Sequence, residues 1–194
     1  MKNHSLVLPF LFLFCVDVHA SIVSDFSWIP AGASNTASTV LSDGTVVTLT
    51  TSPTPFDDSH PTWASFNNTI LNPIGASEVN ISLSFSRTIT NLRLLVDDLD
   101  GFETLENFSI TPTSVNGYLT LDSTSGVVNP INFDFQGNLI WDHLNSTSIE
   151  FTFNRPDGRG FLALVEFEIS AVPVPAAIWL FITGALGLVL YKPR

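Results

Sequence analysis

Among 194 residues there is one cysteine, Cys15, and it lies in an N-terminal apolar run. A mature chain without that run has no thiol, so it can build neither a disulfide framework nor a Cys-based zinc site. Basic residues are nearly as scarce. Seven Lys and Arg stand against 18 Asp and Glu, a net charge of −11. Such a chain is repelled by phosphate backbones, which excludes nucleic acid as a partner class. His4, His19, His60 and His143 are the four histidines, and they show no metal-ligand spacing. No stretch of the body has helical periodicity, and there is no internal repeat. What the chain has in plenty is Ser, Thr and Asn, with 16 Phe. Aromatics and β-branched residues inside, with small hydroxyls outside, suit β-structure.

Period-two alternation fills the body. Val79, Ile81, Leu83 and Phe85 are apolar while Asn80, Ser82 and Ser84 are polar. Ile149, Phe151 and Phe153 alternate with Glu150, Thr152 and Asn154, and Val165, Phe167 and Ile169 with Glu166 and Glu168. Leu92, Leu94 and Val96 share a strand with Leu95, which marks a central position. Thr45 to Thr51, Leu105 to Thr111 and Tyr118 to Leu121 read as further strands. Turn signals separate them: Ser42-Asp-Gly, Asn72-Pro, Asp100-Gly, Asn116-Gly, Asn129-Pro and Asp157-Gly. Ser24 to Ser77 is the least regular part and reads as long surface loops. Many short strands with frequent turns predict an all-β fold, an antiparallel two-sheet β-sandwich of jelly-roll type.

The two ends read differently from the body. Lys2 precedes an apolar stretch, Leu6 to Val16, too short for a bilayer span of about 20 residues but of signal-peptide length. Val18-His19-Ala20 places small or β-branched residues where a signal peptidase reads, with cleavage between Ala20 and Ser21. Near the other end, Pro173 and Pro175 stop any sheet ladder. No charge occurs from Ala176 to Leu190, and Lys192 and Arg194 close the chain. A transmembrane helix is predicted over about 176–191, with Trp179 and Tyr191 as interfacial anchors and Lys192 and Arg194 on the cytoplasmic side. The division is therefore a signal peptide (1–20), a β-sandwich body (21–171) and a sorting tail (172–194).

That tail carries a resemblance. Val172-Pro-Val-Pro-Ala-Ala-Ile-Trp-Leu-Phe-Ile-Thr-Gly-Ala-Leu-Gly-Leu resembles the PEP-CTERM sorting signal of Gram-negative bacteria, in its Val-Pro-x-Pro-Ala-Ala-x-Trp-Leu-Phe variant. The resemblance implies that an exosortase-type enzyme recognises Val172, Pro173, Val174 and Pro175 and processes the tail. It also implies association with extracellular polysaccharide and biofilm matrix. Val174 stands where the family most often has Glu, and the terminal basic cluster is reduced to Lys192 and Arg194.

Two constellations in the body could carry binding. Asp97-Asp98-Leu99-Asp100-Gly101 loosely resembles an Asp-Ile-Asp-Gly turn of some exported bacterial β-sandwich domains. If the strand continued, Asp98 and Asp100 would share a face and Glu103 would fold back across Gly101. Calcium takes six to eight oxygens, which Asp57 and Asp58 on another loop would help supply. A solvated Asp-Gly turn is the plain alternative. Exposed rings could form a sugar platform, with Trp28, Trp63, Trp141 and Tyr118 as candidates. Trp63 and Trp141 are preferred because each lies near a histidine in loop-type sequence, against the plain reading of Trp as core. Asp58 near His60 and Asp142 near His143 make no triad, which is a matter of geometry, and no Ser sits in a nucleophile-elbow context.

The expected product is a non-catalytic protein exported through the inner membrane. It is held there until its tail is processed, and is then released to the cell surface or extracellular matrix. Its expected partners are signal peptidase, the exosortase-type enzyme, the membrane and extracellular polysaccharide, with calcium as the one cofactor considered. Two alternatives stay open. One is a glycolipid-anchored eukaryotic glycoprotein, permitted by sequons at Asn67, Asn80, Asn107 and Asn145. The other is a matrix polysaccharide hydrolase working through paired acids.

Overall fold

The computed structural model describes residues 21–29, 35–53, 69–71, 77–99, 101–131, 136–156 and 162–171. All fall within one of two compact units, the one running Ala20–Val172. The leader, the tail and the expected helix at 176–191 lie outside the described residues. Within them there is no helix, hence none long and apolar enough to cross a membrane.

Twelve strands follow in order: β1 (Ser21–Asp25), β2 (Thr36–Val40), β3 (Val46–Ser52), β4 (Thr69–Leu71), β5 (Glu78–Asp97), β6 (Thr104–Glu106), β7 (Ser114–Gly117), β8 (Leu119–Leu121), β9 (Val128–Pro130), β10 (Gly137–Trp141), β11 (Ser146–Asn154) and β12 (Leu162–Ala171). The all-β expectation holds, and every pairing is antiparallel within one curled sheet. The segment Ser24 to Ser77, expected as loops around one strand, also supplies β2 and β4. β2 is mostly small or polar and β4 is three residues long, so neither carries a period-two hydrophobic run.

The sheet is organised around β5. The separate alternations at Val79–Phe85 and Leu92–Val96 belong to this single strand of 20 residues. Its first half pairs with β3 and β11, through Leu83↔Leu49 and Leu83↔Ile149. Its second half pairs with β12 and β10, through Leu94↔Phe167 and Leu94↔Leu139. The two halves do not present the same parity to the core. Val79, Ile81, Leu83, Phe85 and Ile89 are buried, then Leu92, Leu94 and Val96. The register slips at Thr90, where Asn91 pairs Ser170 and Ile89 pairs Ala171. A bulged residue flips every later side chain to the other face. Thr90 is held there by its hydroxyl donating to Ser170 O at 3.0 Å and its carbonyl accepting from Leu144 N–H at 2.6 Å.

A second bulge corrects the reading of β12. Leu164 pairs Val96 and Glu166 pairs Leu95, so Val165 is the extra residue. Leu164, Phe167 and Ile169 are buried, while Val165 is only half-buried. The expected strand over Leu105 to Thr111 stops at Glu106, because Asn107 turns left-handed at φ 54°. Asn129-Pro130, read as a turn, lies inside β9, where Pro130 takes the last position and pairs Leu119. Asn116-Gly117, also read as a turn, lies inside β7, paired with Asn138 and Gly137, while Asn72-Pro73, Asp100 and Asp157-Gly158 lie outside the described residues. Ser42-Asp43-Gly44 joins β2 to β3, with Thr45 N–H donating to Asp43 Oδ1 at 2.9 Å.

The inward faces make one core, in which Phe26 meets Phe167 at 5.2 Å between ring centroids and Phe108 stacks on Phe151 at 5.4 Å. Fully burying such a side chain contributes on the order of 2–3 kcal/mol. Close approach at the β7–β10 pair requires glycine. Gly117, at φ 74°, pairs Gly137, and a Cβ on Gly117 would lie 2.5 Å from the backbone oxygen of Gln136. Gly44 has a similar φ of 82° but open space around it.

Gly44→Ala should lower unfolding stability by about 1 kcal/mol, the backbone cost alone. Gly117→Ala should cost about 1–3 kcal/mol more, because backbone must shift; urea unfolding of both variants checks the difference. The β8–β9 turn is held by Asp122, which accepts from the Ser125 hydroxyl at 2.7 Å and from Thr124 N–H at 2.9 Å. These bonds, led by the Ser125 hydroxyl, hold its carboxyl below the ordinary 3.8. The ionised form is favoured by folding, so this support is present at neutral pH and is lost as pH falls below 3.8 through the lowered folded value. An NMR titration should place the Asp122 midpoint below 3.8.

Candidate functional site

Alternation that buries one side of β3, β5 and β11 leaves the other side polar. Register aligns that side into rows. Thr36, Thr50, Ser82 and Glu150 form one row, and Ser52, Asn80, Thr152 and Glu106 the next. Hydroxyls meet across the strands, Ser38 with Thr48 at 2.7 Å and Thr36 with Thr50 at 3.3 Å. Between β3 and β11, with β5 as its floor, this face dips into a groove of about 400 Å³. Its polar lining comes from Thr50, Ser52, Asn80, Ser82, Glu150 and Thr152, with Asn107 at the β11 side.

Asn107 reaches the groove because β6 ends beside β11. Its left-handed turn redirects the chain, and Ser109 then clips that segment to β11. Ser109 N–H donates to Glu150 O at 2.8 Å, and Ser109 Oγ accepts from Glu150 N–H at 2.9 Å. A relay crosses the floor: Asn107 Nδ2 donates to Thr152 Oγ1 at 3.4 Å, and Thr152 Oγ1 donates to Asn80 Oδ1 at 3.0 Å. Ser82 Oγ donates to Glu150 Oε1 at 3.4 Å. These bonds use one polar atom of each amide and one oxygen of the carboxylate. Among the described residues, the Asn80 amide nitrogen, the Asn107 amide oxygen and Glu150 Oε2 make no side-chain hydrogen bond.

The residues singled out from sequence lie elsewhere. Trp141 is 1% exposed, and its indole N–H donates to Ile110 O at 2.7 Å. It is a core residue and offers no ring face to a sugar, because its strand position points inward beside Leu92. Trp28 is half-buried, with its indole N–H on Asp25 O at 2.7 Å. Tyr118 is exposed at the end of β7. Trp63 is outside the described residues, as are Asp57, Asp58, His60 and Asp100. Val172, Pro173, Val174, Pro175, Trp179, Tyr191, Lys192 and Arg194 are also outside them, as is Ala20. Ser21 opens β1 opposite Ser170, and its hydroxyl donates to Glu168.

Of the acids considered for calcium, Asp97, Asp98 and Glu103 are described, while Asp57, Asp58 and Asp100 lie outside the described residues. Strand β5 ends at Asp97, and Asp98 turns left-handed at φ 62°. Asp97, Asp98 and Glu103 are all buried. Both Asp97 oxygens are engaged, Oδ1 by Asp98 N–H at 2.8 Å and Oδ2 by Gln136 Nε2 at 3.0 Å. Arg155, also buried, has its guanidinium pulled below the usual value by desolvation, and the charge of Glu103 opposes that shift. Among the described residues, no three His, Cys, Asp or Glu side chains are grouped to hold a metal ion.

Cations on the described surface are already matched. Arg87 pairs Asp43, and Arg93 bridges Glu166 at 3.2 Å and Glu168 at 3.3 Å. None of them lines the groove. Sequence reading missed the groove residues as a site, although it assigned Asn80, Ser82, Glu150 and Thr152 to outward faces. Strand order was the missing information, since β3 and β11 are about 100 positions apart in the chain and meet only across β5.

Thr152→Val should remove the relay with little change in shape. Losing these bonds from a side chain only 4% exposed should lower unfolding stability by about 1 kcal/mol, measured by urea denaturation.

Comparison with family models, with curated proteins and with solved structures finds no match to this chain.

Proposed function

We propose that this chain is an exported, non-catalytic protein of the cell surface or extracellular matrix, and that its body binds extracellular polysaccharide. In this reading 1–20 is a signal peptide removed before Ser21, and 172–194 is a sorting tail with a membrane helix at about 176–191. The tail is processed at Pro173 to Pro175 by an exosortase-type enzyme. The body closes as a jelly-roll-like sandwich; the parity switch in β5, which turns both of its halves onto one core, supports that closure.

The observation that carries the binding reading is the hydroxyl- and amide-lined groove across β3, β5 and β11. Its hydroxyl and amide side chains can exchange hydrogen bonds with a ligand made of hydroxyl groups, and the apolar surface between them can meet the C–H faces of a sugar. Glycoside hydrolysis uses two flanking carboxylates. Glu150 is the carboxylate among the described lining residues, with none paired to it there, which favours binding over cleavage.

The tagged full chain, produced in a Gram-negative host with and without an exosortase, tests the sorting half. Mass spectrometry should find an N-terminus at Ser21 in both hosts and loss of 172–194 only where the exosortase is present. An intact tail in both hosts defeats that half. For the binding half, the released protein should sediment with purified extracellular polysaccharide; protein left wholly in the supernatant defeats it.

A further inference from the structure

We propose that the groove across β3, β5 and β11 takes a neutral glycan chain, one without carboxylate or sulfate groups, and holds it without a metal ion. This rests on the reading of the body as a polysaccharide binder and assigns that binding to a site and a ligand class. Sugar hydroxyls both donate and accept. The groove offers them a donor at Asn80 Nδ2 and acceptors at Asn107 Oδ1 and Glu150 Oε2, each held in place by the bonds its partner atom makes. A carboxylate accepts from two adjacent hydroxyls, and hydrogen bonds to a charged group are the stronger kind.

Charge decides the class. A uronate or sulfate in the groove would face Glu150 with no Arg or Lys among the described lining residues to offset it. Like charges brought together out of bulk water repel more strongly than on an open surface. The chain's net charge of −11 adds a repulsive field at longer range. A calcium bridge between two anions would need more oxygens than one carboxylate supplies. The groove spans from β3 to β11, two inter-strand spacings or about 10 Å, which suits an extended chain lying across the strands. Phe151 borders it but is 2% exposed with its ring stacked on Phe108, so no described ring face opens into the groove and each site binds weakly.

The test uses the full chain in detergent micelles against immobilised polymers. Neutral probes are a β-glucan and a galactomannan; anionic probes are alginate and polygalacturonate. Expected results are retention on a neutral polymer, unchanged by EDTA. Ser82→Phe, which fills the floor, should weaken retention at least tenfold. Glu150→Gln, which keeps the shape, should weaken it roughly tenfold with an unchanged unfolding midpoint, and so serves if Ser82→Phe does not fold. Neutral binding unaffected by both variants overturns the groove while leaving polysaccharide binding standing. Preference for alginate or polygalacturonate, or loss of binding in EDTA, overturns the neutral, metal-free class. No retention on any polymer defeats the polysaccharide reading itself.

Discussion

One ladder of backbone hydrogen bonds holds the other elements in place, the one along both edges of β5. Antiparallel pairing satisfies each buried N–H and C=O only if a partner strand lies beside it. A strand of 20 residues needs more partner length than any other strand here provides, so β3 with β12, and β10 with β11, share it. Every long strand therefore takes its register from β5, and the short strands β1, β2, β4, β6 and β7 take theirs from those neighbours.

A strand that long would twist away from a single core if its pleat ran unbroken. The extra residue at Thr90 is what prevents this, by returning Leu92, Leu94 and Val96 to the buried side after Ile89. Val165 does the same for the partner strand β12. The polar groove is the other consequence of this packing. Because Ile81, Leu83, Ile149, Phe151 and Leu49 are drawn inward, Asn80, Ser82, Glu150 and Thr50 are held outward at fixed spacing. The site's rigidity comes from the core beneath it.

Charge is arranged sparingly. Asp97, Asp98 and Glu103 after β5 are buried, with Gln136 donating to Asp97 and Arg155 beside Glu103. Arg87 and Arg93 lie on the surface in ion pairs, each worth little by itself. The described surface therefore has no cationic patch to draw in an anion, and hydroxyl and amide side chains line the groove across β3, β5 and β11.

By itself the sequence determined the element type, the inward and outward faces of most strands, and the position of hairpins such as Ser42-Asp43-Gly44. These are local properties, set by period-two hydrophobicity and by residues that tolerate turn backbone. The failures share a cause. A bulge at Thr90 or Val165 changes parity without changing composition, and the left-handed turn at Asn107 ends a run that still alternates. Trp141 looked like a loop aromatic because Asp142 and His143 follow it, yet its register beside Leu92 turns it inward. The tertiary structure alone decided which strands are neighbours, and so which outward residues meet. Asn80, Asn107 and Thr152 are scattered along the chain, and only backbone pairing across β5 and β11 brings their amides and hydroxyl together.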